Sequence, residues 1–410
     1  MALVQSIFGS FNDLVFLALL ASLPLALYLS TKRKKRVSPV EVLGDRPFRA
    51  IAPSEDIPED LPVEHEDPDL VERVAVSRLV ADLMMADEWV EVGTQIAEWE
   101  DRLAAAPGGA RFHDVASDTA LSGLQSLIDA APHDALENLG EAEIEVGHFI
   151  NTHERNPECH VLAALAARAH LALGEACRAD HWPDALRKDA WRRMAHHFLA
   201  AGEILKDFDP LAYMSPLLAE AHYMHALGSP GGMQQLPFLF EAWIDLDPSN
   251  PSIYERHAEQ LADPEVVSDD TILNEAEKAL ERTESTLGAG GYALFFLPLL
   301  ELRDGARSLL DANLFATAML DLASLEASQA EVNQTANALA AEMRMSGNTC
   351  DAMNDTLYLL IRWHMNVIYP RLWTLPEDSI QSLVRDAAEA VPDIGAMPAN
   401  TSEPTLSRAA

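Results

Sequence analysis

The chain has 410 residues, 49% of them apolar, enough for a sizeable core in one extended domain or two ordinary ones and too many for a wholly disordered polypeptide. Its formal net charge of −36 argues against nucleic acid as a partner and against binding of the acidic domain to anionic lipid surfaces, because either depends on Lys and Arg displacing counterions. Three scattered cysteines, Cys159, Cys177 and Cys350, with no CxxC pair, argue against a disulfide framework or a Cys-rich zinc site and fit a reducing compartment.

The first element is LVFLALLASLPLALYL, Leu14 to Leu29, uncharged throughout. As a helix it spans about 24 Å of the roughly 30 Å hydrocarbon core, and Ile7, Phe8 and Phe11 extend its apolar surface. The basic run Lys32, Arg33, Lys34, Lys35 and Arg36 follows it, whereas a secretory signal carries its positive charge first. Residues 1–36 therefore read as one transmembrane anchor with a basic stop. The positive-inside bias places the N-terminus outside and the rest of the chain on the cytoplasmic side of an inner membrane. Beyond Arg36 lie 24 basic and 64 acidic residues, so a protein partner of this part is expected to be basic. Only Lys188, Lys206 and Lys278 are lysines there, a bias typical of GC-rich bacterial coding.

Residues 37–69 are rich in proline and acids and read as an extended linker. From Leu70 the apolar residues recur at three- and four-residue spacing, which predicts helices over 70–85 and 89–105. Further helices are expected near 118–130, 134–152, 158–176, 184–206, 211–227, 233–246, 251–262, 271–286, 291–311, 312–324, 327–345, 351–369 and 377–390. No run alternates with the period of a strand. The fold class is all-α, and residues 70–390 form one helical-repeat domain. Residues 391–410 lack periodicity and read as a disordered tail.

One stretch, LPFLFEAWIDLDPSNPSIYERHAEQL, has an apolar helix, a turn at Asp247-Pro248, and then Tyr254, Ala258 and Leu261 at four- and three-residue steps. A second, ERNPECHVLAALAARAHLALGEA, sets Ala163 and Ala167 after Pro157. Both resemble the tetratricopeptide repeat, in which small residues at these places let paired helices approach closely. The resemblance covers roughly 155–263, and its spacing is degenerate: Pro157 to Pro210 is 53 residues and Pro210 to Pro248 is 38, against about 34 in the family. It implies an α-solenoid of helical hairpins behind the transmembrane helix, with Pro157, Ala163, Ala167, Pro248, Tyr254, Ala258 and Leu261 as packing positions. The layout resembles bacterial membrane-anchored tetratricopeptide proteins. The C-terminal rubredoxin-like module with CxxC pairs that some of them carry has no counterpart here.

No phosphate-loop, nucleophile-elbow or zinc-protease motif occurs, and no cofactor, metal or catalytic residue is expected. Gly288, Gly290 and Ala293 spell GxGxxA, but a helical stretch precedes them where a dinucleotide fold needs a strand, so they read as an interhelical turn. Segment 292–310 is too short in uncharged residues to span a bilayer and reads as a buried helix. Segment 357–373 reads as a core-capping helix whose Arg362 and Arg371 pair with carboxylates. Fourteen histidines raise a second reading, an all-α metal enzyme. It needs Glu145, His148, His153 or His160 to converge with carboxylates of other helices, and the pairs His196-His197 and His222/His225 are the remaining clusters. A third reading is a structural subunit of a membrane complex. The leading expectation is a scaffold that binds proteins at the inner membrane. With the orientation read here, a reporter active only outside the cytoplasm and fused to the C-terminus is silent; activity there reverses the topology.

Overall fold

Four helices of this chain start on the same local device: a short polar residue followed by proline. Asp67-Pro68, Asp209-Pro210, Ser215-Pro216 and Asn250-Pro251 each put the polar side chain on a free backbone N–H of the first turn. Proline fits there because its missing N–H has no partner to lose and its φ is already helical. In a computed structural model of the protein, residues 61–178, 181–324, 327–345 and 351–390 are described. The anchor with Lys32, Arg33, Lys34, Lys35 and Arg36, the linker up to residue 60, Cys350 and the tail 391–410 lie outside them.

The described residues are all-helical. The helices are α1 (Pro68–Met85), α2 (Trp89–Arg102), α3 (Phe112–Ala130), α4 (Gly140–Arg155), α5 (His160–Ala176) and α6 (Arg187–Leu205). Next come the single turn α7 (Pro210–Tyr213), α8 (Pro216–Gly228), α9 (Leu236–Leu246), α10 (Pro251–Leu261), α11 (Asp269–Leu287) and α12 (Gly290–Leu302). The last are α13 (Ala312–Ser324), α14 (Gln329–Met345), α15 (Asp351–Trp363) and α16 (Glu377–Glu389). Among the described residues there is no strand, only isolated bridges at Val63–Ile368 and Ala105–Arg111. None of these helices is long and apolar enough to cross a membrane.

Three expected helices are interrupted, each for a backbone reason. The stretch 211–227 splits because Pro216 cannot donate to the preceding turn and disfavours a helical Ser215; Met214 turns left-handed at φ 51°. The stretch 291–311 ends at Leu302, and Gly305 reverses the chain at φ 84°. The stretch 351–369 stops at Trp363, after which Ile368 takes up an extended pairing with Val63. There the Glu64 N–H donates to the Ile368 carbonyl and the Ile368 N–H to the Pro62 carbonyl, both at 2.9 Å. Leu61 is buried, so residues just before α1 are held against the C-terminal helices. The glycine turn behaves as read: Gly288 closes α11, and a Cβ on Gly291 would overlap the Thr283 side chain and stand 3.0 Å from the Ala279 carbonyl. Segment 292–310 supplies α12, with Phe295, Phe296 and Leu299 fully buried.

Helices pack on their sequence neighbours and on the helix two places along, as in α1 on α3, α3 on α5, α9 on α11, α10 on α12 and α13 on α15. α5 is the centre of the first half; thirteen of its residues are buried, six of them alanine, and its contact with α6 is the most extensive of all. The second half is aromatic instead. Tyr223, Phe240, Trp243, Tyr254, Phe295 and Phe296 are buried, and Phe240 stacks on His257 at 3.9 Å between ring centres. The Glu275 carboxylate accepts from His257 Nε2, which leaves Nδ1 to accept the Tyr223 hydroxyl at 2.9 Å.

A buried ion pair ties the two halves. Arg111 donates from Nε to Asp247 Oδ2 at 2.8 Å and from Nη2 to Oδ1 at 2.5 Å, and its Nη1 holds the Leu103 carbonyl at 2.9 Å. Burial pushes the Asp247 carboxyl above its ordinary range against the opposing pull of Arg111. Asp247→Ala strands a buried guanidinium, so unfolding free energy falls by about 3–5 kcal/mol. The Arg111→Met/Asp247→Leu double variant, in denaturant melts of the full chain, loses clearly less; equal losses mean the two residues do not act as a pair.

Candidate interaction groove

Residues repeating every three or four positions fall on one helix face, and four helices turn such faces to a common space. α3 contributes Asp118, Leu121, Ser122, Gln125 and Asp129; α5 contributes Arg168, Leu171, Ala172 and Glu175; α8 adds Glu220 and Met224, and α10 adds Arg256. They line a groove of about 1160 Å³.

Charges of alternating sign run across its floor, one from each helix. Arg168 Nη2 donates to Asp118 Oδ1 at 2.9 Å, and its Nη1 lies 3.2 Å from Glu220 Oε2 and donates to the Ser117 hydroxyl. Arg256 Nη2 closes the row on Glu220 Oε1 at 2.9 Å and its Nη1 meets the Met224 sulfur at 3.8 Å. The ends are open and the middle is not: side-chain exposure is 65% at Asp118, 5% at Glu220 and 34% at Arg256. Burial works against the Arg168 charge, yet Glu220 and Asp118 outweigh it and raise its pKa. Both arginines are thereby committed. The remaining lining acids are Asp129, which accepts from Gln125 at 2.7 Å, and Glu175, which pairs with Arg178. At one end His133 lies 5.2 Å from the Trp182 ring and 6.4 Å from the His181 ring. The groove is thus acidic in balance, with an apolar strip along Leu121, Leu171 and Met224 and flat rings at one end.

A smaller cavity of about 430 Å³ lies on the other side of α5, lined by His170, Glu143, Arg192, Arg193, His196 and His197. His170 Nδ1 and His197 Nδ1 are 3.0 Å apart and buried, so one donates and the other accepts. Burial pushes both imidazoles down to about 4, with neighbouring histidines adding to the effect.

The repeat positions are placed as follows. Ala163 and Ala167 are fully buried in α5, and Tyr254, Ala258 and Leu261 are buried in α10. Pro157 sits exposed in the turn before α5; Pro248 is half-buried and its carbonyl accepts the Tyr254 hydroxyl at 2.7 Å. The histidines of the metal reading are not brought together. His148 meets Glu145 on the surface at 3.1 Å, while His153 packs edge-on against Phe208 at 5.9 Å. His160 stacks on Tyr213 with Nε2 3.4 Å from Glu100. His222 and His225 bond Phe208 O and Ser229 separately. Among the described residues no three His, Cys, Asp or Glu side chains converge on a metal position. Arg362 donates to the Ala390 carbonyl rather than to a carboxylate. The charge row and the His170–His197 pair went unseen in the sequence, since their members lie tens of residues apart and no local pattern marks them.

Compared with family models, with curated proteins and with solved structures, the chain matches none.

The histidine pair makes stability pH-dependent. Both imidazoles are neutral in the fold and have folded pKa values about 4, below the ordinary 6.5, so the unfolded chain binds more protons between those values. Stability therefore falls as pH drops from 6.5 towards 4, the two directly bonded imidazoles titrating as a unit. Denaturant midpoints from pH 7 to pH 4 for the His170→Phe/His197→Leu variant are expected to show a shallower acid slope than the parent; an unchanged slope assigns the effect elsewhere.

Proposed function

We propose that this chain is a membrane-anchored scaffold: an α-solenoid of degenerate tetratricopeptide-like hairpins that holds a basic segment of a partner protein in the groove between α3, α5, α8 and α10. The observation that carries the reading is the unbroken floor across four helices, with both arginines neutralised and the Asp129 carboxylate held by an amide rather than a cation. Stacked hairpins commonly present such surfaces to peptides. A partner side chain of the right type has complementary sites: aliphatic groups over Leu121 and Leu171, Lys or Arg against Asp129, and a guanidinium flat on either the His133 or the His181 ring, which stand perpendicular to one another. Lys32 to Arg36 and the apolar run before them support placement at the cytoplasmic face of a bacterial inner membrane, where tethering raises the effective concentration near membrane partners.

The test is a photo-crosslinking residue at Gln125, which is exposed in the groove, in the full chain and in a chain lacking residues 1–36. Adducts are expected on Lys- and Arg-rich segments, lost about tenfold or more when Asp129→Lys and Glu175→Lys reverse the groove charge. Adducts on acidic segments, or indifference to the reversal, sink the reading; partners unchanged by loss of residues 1–36 remove the membrane part of it.

A further inference from the structure

The acidic chain has one basic exception. Of the 24 basic residues after Arg36, four (Arg187, Lys188, Arg192 and Arg193) fall within seven positions, and no other window of that length holds more than two. They open α6, where Asp189 is the only acid before Glu203. At about 100° per residue, Trp191, Ala195, Lys188, Leu199 and Arg192 occupy, in that order, one continuous arc of about 100° on the helix, with Trp191 at one edge, Arg192 at the other and Lys188 between Ala195 and Leu199. The arc faces outward: Trp191 is 61% and Leu199 70% exposed. Its opposite side, with His197, Phe198 and Ala201, is buried against the core. A helix face on which Lys and Arg are interleaved with exposed Trp and Leu is the pattern of helices that lie in a lipid headgroup layer.

Beside the arc, Arg192, Arg193 and His196 border the cavity of about 430 Å³, room enough for a phosphate group. Arg192 pairs with Asp189 at 2.7 Å, both side chains being exposed; Arg193, partly buried, pairs with Glu143 at 2.8 Å and donates to the Leu136 carbonyl at 3.1 Å. Exposed pairs of this kind are weak and exchange readily for a phosphate oxygen.

We propose that the outward face of α6 docks the helical domain on an anionic lipid surface, with Trp191 and Leu199 in the headgroup layer and a lipid phosphate between Arg192, Arg193 and His196. At physiological salt a charge acts over only about 8 Å, so the domain's more distant acids are screened; the near ones, Asp184, Asp189 and Glu143, each pair with a basic residue of the cluster and must give way to the lipid phosphates. The docking stands independently of the groove and of the N-terminal anchor, since it rests on a different face and on described residues alone.

The full chain is reconstituted in nanodiscs of phosphatidylcholine alone or mixed with phosphatidylglycerol, with a photo-crosslinking residue replacing Trp191, or Glu277 on α11 as the control. Lipid adducts are expected at position 191, about fivefold or more abundant with phosphatidylglycerol, and not at position 277. Lys188→Glu/Arg192→Glu, both on the surface and so harmless to folding, is expected to lower the yield about tenfold or more at unchanged thermal stability. Because the label reports its own neighbours, insertion of residues 1–36 does not produce the signal. Equal yields in the two lipids, adducts to protein instead of lipid, or a yield untouched by charge reversal overturns the proposal.

Discussion

The groove depends on one buried contact, the approach of Arg168 to Glu220. α5 is so rich in alanine that its packing is close but nearly featureless, and smooth alanine surfaces define the distance between helices far better than their sliding register. A guanidinium held between Asp118 on α3 and Glu220 on α8 removes that freedom, since displacing α8 by one turn leaves the Arg168 charge in the interior without its buried partner. Arg256 extends the same logic to α10 through the other oxygen of Glu220. The four helices are thus locked in register by three ion pairs in series. Only the terminal charges meet water, which is why the row contributes order to the floor without offering free cations to a ligand.

A second set of polar contacts does the same between segments far apart in sequence. The turn between α2 and α3 is anchored on three sides: Asp69 accepts the Gly108 N–H at 2.8 Å, Arg111 grips Asp247, and the Ser328 hydroxyl reaches the Pro107 carbonyl. Asn250 and Ser252 add a bond each to Asp114 at the start of α3. One short loop therefore touches α1, the α9–α10 turn and the start of α14. Asn333 plays this part near the C-terminus, donating to the Val367 carbonyl and accepting from Tyr369 and Trp373. A helical array made only of neighbour contacts frays from its ends; these long-range bonds, with the Val63–Ile368 bridge, tie the described ends to the body.

The sequence carried most of the helices, because burial of one face leaves a period of three to four that survives in any single segment. It also carried the turn at Gly288 and the buried position of segment 292–310, where composition alone excludes other roles. Helix ends were less readable. Pro216, expected inside one helix over 211–227, proved to be a start, because Ser215 before it caps the first turn. The groove was not readable at all, although each of its residues is ordinary for an exposed or half-exposed helix position. Asp118 and Arg168 are 50 residues apart, and nothing within either helix says that the other faces it. The histidine reading failed for the same reason in reverse: Glu145 and His148 share a helix face, and nothing in that spacing reveals that the face is solvent.

The two proposed surfaces are related through α5. Arg168 and His170 are two residues apart, about 200° around the helix, so the groove and α6 lie on opposite sides of one alanine-rich wall. A domain resting on lipid through the outer face of α6 then turns its groove away from the bilayer. An acidic groove held at an anionic surface would see its basic ligands captured by the lipid. Facing away by the thickness of two helices, about 20 Å, it stands more than two Debye lengths clear of the surface charge. On the two proposals together, segregating the four basic residues on α6 from the acids around α3 and α5 is what allows one acidic chain to meet a negative membrane and a positive partner at the same time.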